Sequence, residues 1–427
     1  MLLLHHAAQL VTVSRSDETV KRGLSMRDIH IIPDGAMVVR DGVIDWVGPT
    51  AELPPVPAAA EVIDVSDKVV LPGFVDSHTH LIFAGSREDE FEQRLQGKTY
   101  QEIAAQGGGI NASVRQVRAA SRPELKALAR QRLEWLLRFG VTTVEVKSGY
   151  GLSLRDELKC LEVVAELNAE GPVELVATFL GAHVVPPEYA TERDEYVRLV
   201  AEEMLPEVAR CRLADFCDVF CETGVFSLEE TEHILHKAHL LGFGLKLHAD
   251  ELTPLGGAEL AARLGATSAD HLLCITDVGI DALARSETVA ALLPGTAFFL
   301  GMDYAPARRL IERGVAVAVA SDCNPGTCPS ENLPLAGAMA CTQMGMLPAE
   351  VVSALTLNAA AALRRAERVG SLTVGKQADF IVCAVPDYRH LFYHFGVNHV
   401  ERVFKRGRLV WSAATAAPAG VRPVAPG

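Results

Sequence analysis

Hydrophobic and polar positions change rhythm twice along the chain. Over residues 1–70 the apolar residues come in short runs broken by turn formers. Ala36-Met37-Val38-Val39 leads into Arg40-Asp41-Gly42, and Val43-Ile44-Asp45-Trp46-Val47-Gly48 follows. Asp-Gly between two apolar runs predicts a β-hairpin. Residues 53–60, rich in Pro and Ala, read as a surface loop. From residue 71, strand-length apolar runs alternate with amphipathic helical stretches such as 123–139, 154–169 and 228–241. The strand-like runs end near His80, Lys147, Gly181, Glu222, His248, His271, Phe299 and Asp322. After about residue 368 the strand-and-turn rhythm returns, with Ala378-Asp379-Phe380-Ile381-Val382 and a second hairpin at Arg406-Gly407.

Eight strands alternating with helices predict an α/β fold, a (β/α)8 TIM-like barrel over residues 71–367. Its two flanks, 1–70 and 368–412, are expected to pair into one small β-sandwich domain built from both chain termini. Residues 413–427, rich in Ala, Pro and Gly, read as a disordered tail. A doubly wound open sheet is the competing arrangement, but no G-x-G-x-x-G follows the first strand. Gly107-Gly108-Gly109, in the long connection after that strand, reads as a hinge or lid loop.

With 49% hydrophobic and 22% charged residues, the chain of 427 can bury a large core. Its formal net charge of -14 argues against a nucleic-acid partner, because phosphate binding needs a basic surface. An anionic substrate would need a local cation. Nine scattered cysteines point to reduced thiols and a cytoplasmic setting. The N-terminus lacks signal-peptide character. The longest apolar run, 289–302, holds Pro294 and Gly295 and is too short for a membrane span. A soluble protein is expected; a homodimer is left open.

The chemistry gathers at the predicted strand ends. In His78-Thr79-His80 the two imidazoles share one face of an extended segment, as half of a metal site would require. His183, His248, Asp250, Glu251, His271 and Asp322 close later strands, and in a barrel such ends converge on one face. Two His from strand 1, one His from strand 5 and one Asp from strand 8 can enclose a single divalent ion, zinc or iron. A bound ion lowers the pKa of its water and so supplies a nucleophile. Glu251 and His271 are then free to move protons or polarise the scissile group, with Asp322 a further acid/base candidate beside the water. His233, His236 and His239 read as a solvated helix face.

These residues resemble the amidohydrolase superfamily and, within it, the imidazolonepropionase family of histidine degradation. The resemblance rests on the run from His78 to Arg87, on Glu145-Val146-Lys147-Ser148-Gly149-Tyr150-Gly151, on Phe179-Leu180-Gly181-Ala182-His183, on His248-Ala249-Asp250-Glu251, and on Ser321-Asp322-Cys323-Asn324-Pro325-Gly326-Thr327. It extends to about residue 412, with Ser77 standing where Pro is frequent. It implies hydrolysis of 4-imidazolone-5-propanoate to N-formimidoyl-L-glutamate. Arg87 would take the propanoate, Tyr150 and His183 would hydrogen-bond the ring or tail, and Glu251 would contact the ring. Asn324, Gly326 and Thr327 would line the pocket, and Tyr100 is a further candidate. A nucleobase-type deaminase would share the His-x-x-Glu of strand 5. A non-catalytic scaffold would be expected to lack metal ligands, and none is missing.

Overall fold

The computed structural model describes residues 1–98, 102–103 and 107–416. Eight parallel strands follow one another around the central sheet: β1 (Phe74–Asp76), β2 (Val141–Lys147), β3 (Glu174–Ala182), β4 (Phe216–Cys221), β5 (Gly244–Ala249), β6 (Ser268–His271), β7 (Val289–Leu292) and β8 (Val317–Val319). Nearly every residue in them is buried. Helices cover the outer face and side chains fill the inner one, so the strands read as continuous apolar runs rather than alternating ones. The intervening helices carry local start signals. Ser121 caps Arg122–Arg138, Ser153 caps Leu154–Glu170, and a Ser227/Glu230 capping box opens Leu228–Leu240. Among the described residues no helix is long and apolar enough to cross a membrane. All nine cysteines are unpaired.

One strand departs from expectation. The seventh run was expected to end near Phe299, but β7 stops at Leu292 and Pro294–Leu300 is helical. An unbroken apolar run carries no period that separates strand from helix. Pro294 ends the strand and starts the helix, where its missing N–H costs nothing.

The barrel closes at its rim. β1 and β8 are three residues each and do not pair along their lengths. The chain segments just beyond them do: Thr79 bridges Cys323, His80 N donates to Cys323 O at 2.9 Å, and Asp322 N donates to His78 O at 3.1 Å. Below this seam the buried Asp76 carboxylate accepts from both Ser321 N (3.0 Å) and Ser321 Oγ (2.5 Å). The seam therefore brings His78, His80 and Asp322 together.

The terminal segments form a second, mixed sheet. Leu2–Val11, Ile31–Arg40, Val43–Pro49, Glu61–Asp64 and Val69–Pro72 come from the N-terminal side, and Phe380–Cys383, Val400–Lys405 and Arg408–Ser412 from the C-terminal side. Phe380–Cys383 runs antiparallel to Val69–Pro72 and joins the two sets. The sandwich-like core comes from one sheet folded over itself, since the Gly42 turn lies against Arg406 at its other end. Leu4, Leu10, Met37, Val70, Phe380 and Phe404 fill that inner face. Both Asp41-Gly42 and Arg406-Gly407 have positive φ at their two central residues, as a tight hairpin requires. Of the expected tail, Ala413–Ala416 is instead a helical turn started by Ser412 Oγ, which accepts from Ala414 N; residues 417–427 lie outside the described residues.

Asp76→Ala leaves two buried Ser321 donors without their acceptor. It should lower the thermal midpoint, corresponding to a loss of about 1–3 kcal/mol per unsatisfied group. Asp76→Asn keeps an acceptor oxygen and should lose less. Equal midpoints for wild type and Asp76→Ala would assign the closure to the backbone bonds alone.

Candidate active site

Three imidazoles and one carboxylate meet at the barrel mouth. His78 Nε2 and His80 Nε2 are 3.3 Å apart, and His248 Nε2 is 3.3 Å from His80 Nε2. Asp322 Oδ1 lies 3.4 Å from His78 Nε2 and 3.6 Å from His80 Nε2. All four residues are at most 3% exposed. The outward ring nitrogens face acids: His78 Nδ1 is 2.6 Å from Asp270 Oδ2, and His248 Nδ1 is 3.1 Å from Asp218 Oδ2. A carboxylate only accepts, so His78 Nδ1 carries the proton and its Nε2 presents a lone pair, and the Asp218 charge favours the same arrangement at His248. Converging lone pairs away from water call for a cation. A tetrahedral ion with bonds of about 2.0–2.1 Å spaces its donors about 3.3–3.4 Å apart, matching these separations. Asp322 Oδ1 also has no hydrogen-bond partner, whereas Thr296 Oγ1 holds Oδ2. His78, His80 and Asp322 form one group of donors within 4.8 Å of one another and His78, His248 and His271 a second, so the donors fit a divalent metal, with His271 also within reach of it.

Electrostatics agree. Burial and neighbouring groups hold His78, His80 and His271 well below the ordinary imidazole range, which keeps them neutral and available as ligands. His248 is raised despite its burial, because Asp218 faces it. Burial pushes Asp322 up to about 6, against the hydrogen bond from Thr296. Burial, together with the Asp322 charge, pushes Glu251 up to about 8. Several rim residues take left-handed backbone: Asp250 (φ 48°), His271 (φ 78°), Leu272 (φ 63°) and Asp322 (φ 55°). Such conformations cost of order 1–3 kcal/mol each in non-glycine residues and gather at functional sites.

The other expected site residues fall into two groups. Around the cluster, His271 Nε2 is 3.6 Å from Glu251 Oε2. His183 stacks on His80 with ring centroids 5.0 Å apart, and Tyr150 lies 5.4 Å from His183. His183 Nδ1 donates to Gly149 O at 3.0 Å. At the outer side, Asn324, Gly326 and Thr327 form one turn, in which Asn324 Oδ1 accepts from Gly326 N (2.8 Å) and Thr327 N (2.7 Å). The Arg87 guanidinium packs on Gly326 so closely that a Cβ there would collide with it. Arg87 is also paired with Glu90, through Nε at 3.0 Å and Nη2 at 2.7 Å. The second Glu90 oxygen accepts from Gly109 N, which anchors the end of the glycine loop. Tyr100 lies outside the described residues. His233, His236 and His239 are exposed on their helix, far from any such cluster in character.

Sequence reasoning missed the layer beneath the cluster. Lys147 Nζ contacts Glu145 Oε1 (2.6 Å) and Asp218 Oδ2 (2.7 Å), with Asp270 Oδ2 at 3.7 Å; Lys246 Nζ is 3.8 Å from Asp270 Oδ2. All five residues are fully buried. Their signal was a charge inside an apolar strand, spaced by two from another polar residue: Glu145/Lys147 on β2 and Lys246/His248 on β5.

The amidohydrolase family model matches residues 69–410. The imidazolonepropionase of Brevibacillus brevis is 50% identical over 411 residues, covering 95% of this chain and 97% of that protein. The imidazolonepropionase of Symbiobacterium thermophilum is 52% identical over 417 residues, covering 96% and 97%. The chain belongs to the amidohydrolase family, in its imidazolonepropionase group. Among solved structures, this amidohydrolase is similar to a zinc-bound adenosine deaminase from Xanthomonas campestris, with a TM-score of 0.70, 20% identity and coverage of 96% and 92%. Guanine deaminase of E. coli gives a TM-score of 0.69 at 17% identity, covering 96% and 99%. At such identities these two share the fold alone.

Asp218→Asn and Asp270→Asn keep side-chain volume but weaken the acceptors behind His248 and His78. Each should lower metal affinity about 10–100-fold, read by competition with a chelator. Wild-type affinity in both variants would remove these acids from the support of the imidazoles.

Proposed function

We propose that this amidohydrolase opens the cyclic amide of 4-imidazolone-5-propanoate to give N-formimidoyl-L-glutamate, a step of L-histidine degradation. The observation that carries the reading is Arg87. In a chain of net charge -14 a largely buried guanidinium sits against Gly326, four residues past Asp322. It suits a carboxylate-bearing ring. The relatives at about half identity carry the same activity in their names.

In this reading His78, His80, His248 and Asp322 hold one divalent ion, zinc or iron. When bound, such an ion acidifies a coordinated water and polarises the amide carbonyl. The amide C–N bond breaks, the oxygen of water joins the carbonyl carbon, and the ring nitrogen leaves with a proton. Asp322, which would hold the ion, is also the carboxyl beside that water and the candidate to take its proton. Glu251, raised by its burial, holds a proton near neutrality and delivers it at the ring nitrogen. His271, neutral and beside Glu251, orients the reacting carbonyl and water. His183 presents an unprotonated Nε2, because Nδ1 donates to Gly149 O, and so accepts from a ring N–H. Tyr150 closes the same side, and Arg87 with the Asn324–Thr327 turn takes the propanoate. A nucleobase deaminase would use His248 and Glu251 but would offer Arg87 no carboxylate beyond that of Glu90.

Purified protein should convert 4-imidazolone-5-propanoate to a product heavier by one water. Arg87→Ala should lower kcat/KM at least about tenfold, and Arg87→Lys should restore it only in part. Full activity after exhaustive removal of metal, or unchanged kinetics in Arg87→Ala, would overturn the reading.

Glu251→Gln should retain the metal and the fold while losing most turnover, because an amide cannot exchange the proton. His271→Asn should lose less. The double variant should be less impaired than the product of the single effects, since both act on one transition state. Metal content, thermal midpoint and kcat of the three variants check this. Loss of metal in Glu251→Gln would make Glu251 a ligand.

A further inference from the structure

The rim of β2 and β3 is organised around a carboxylate that has no place in the chemistry above. Glu157 lies one turn into helix Leu154–Glu170 and is completely buried. Its partners are backbone N–H groups of the preceding loop. Oε2 accepts from Gly149 N at 3.0 Å, and Oε1 accepts from Gly151 N and Leu152 N, each at 2.8 Å. The Ser148 hydroxyl oxygen, at the start of the same turn, accepts from Leu180 N at 3.0 Å. One side chain thus gathers the turn between β2 and its helix.

The loop pays a conformational cost that the carboxylate offsets. Gly149 has φ +106° and Leu152 φ +50°, conformations that L side chains rarely adopt. Gly151 approaches the helix so closely that a Cβ would lie 2.5 Å from the backbone of Asp156 and Glu157. Three convergent N–H groups repel each other unless an acceptor stands between them, and Glu157 is that acceptor.

What the turn presents is the recognition side of the site. Tyr150 is bracketed by the held N–H groups of Gly149 and Gly151, and its ring lies 5.8 Å from His80 and 5.4 Å from His183. The Gly149 carbonyl accepts from His183 Nδ1, so the same turn selects the tautomer of that imidazole. A Cβ at Gly149 would press on His183 Nδ1 at 3.0 Å. The other cluster ligands, His78, His248 and Asp322, take their second contacts elsewhere, from Asp270, Asp218 and Thr296.

We infer that Glu157 is a positioning residue that sets substrate affinity through Tyr150 and His183, by fixing the 149–152 turn and the Nδ1–H tautomer of His183. The substrate assignment rests on the function proposed above; the tautomer does not.

Glu157→Gln keeps volume but turns one acceptor into a donor facing backbone N–H groups. KM for 4-imidazolone-5-propanoate should rise at least about tenfold, with metal content unchanged. The effect should shrink in Tyr150→Phe and His183→Asn backgrounds, because residues acting through one another are not additive. Heteronuclear NMR of the imidazole nitrogens should place the His183 proton on Nδ1 in the wild type and show a tautomer mixture in Glu157→Gln. Should that variant fail to fold, Ser148→Ala removes only the acceptor of Leu180 N at the start of the turn and should move the same readouts by less. An unchanged KM, full additivity with both partner variants, or an unaltered His183 tautomer overturns the inference. Absence of turnover in the wild type would overturn the substrate assignment, and the NMR comparison would still decide the role of Glu157.

Discussion

The donors of His78, His80 and Asp322, 3.3–3.6 Å apart, with His248 Nε2 3.3 Å from His80 Nε2, form an arrangement buried from water that a protein alone cannot satisfy. His78 and His248 turn a lone pair inward because Asp270 and Asp218 lie behind their other ring nitrogens. Much of the remaining architecture follows from maintaining that crowding. The short β1 and β8 join beyond their own ends, so that the seam places His78, His80 and Asp322 side by side. Left-handed backbone at Asp250, His271 and Asp322 accumulates at the same rim. Strain of that kind persists only where surrounding contacts over-determine it.

The charges beneath the cluster obey the same constraint. Glu145, Asp218 and Asp270 would be costly to bury as bare anions, and Lys147 and Lys246 lie among them. Asp270 and Asp218 face the imidazoles of His78 and His248, while Glu145 accepts from Thr79 N and Thr178 Oγ1. A barrel interior that might have been wholly apolar is given instead to a paired ionic layer. Such a layer contributes orientation more than stability, because desolvation cancels much of the attraction between its members.

In the proposed reading, the residues that would hold a metal and those that would meet substrate occupy separate supports. The former lean on Asp218, Asp270 and Thr296; the latter lean on the Glu157 turn and on the Arg87–Glu90 pair. This separation fits a fold on which different chemistries recur. The deaminases of similar fold share the barrel at 20% identity or less. What a given chain acts upon is decided by side chains at the rim and by the loops that hold them.

Local pattern determined the strand-and-helix alternation, the two hairpins and the face shared by His78 and His80, because each depends only on residues a few positions apart. The strand ends that carry His183, His248, His271 and Asp322 were legible for the same reason. β7 was not, since its apolar run has no period and only packing chose where the strand yields to the helix begun by Pro294. Nor were the supports of the site. Asp270 meets His78 across 192 positions, and Ser321 meets Asp76 across 245. Glu157 is close in sequence to Gly149, yet its role depends on the turn folding back over the helix. Periodicity states which way a side chain faces; which other side chain it finds there is decided by strand order, barrel closure and the exclusion of water, and these belong to the tertiary structure.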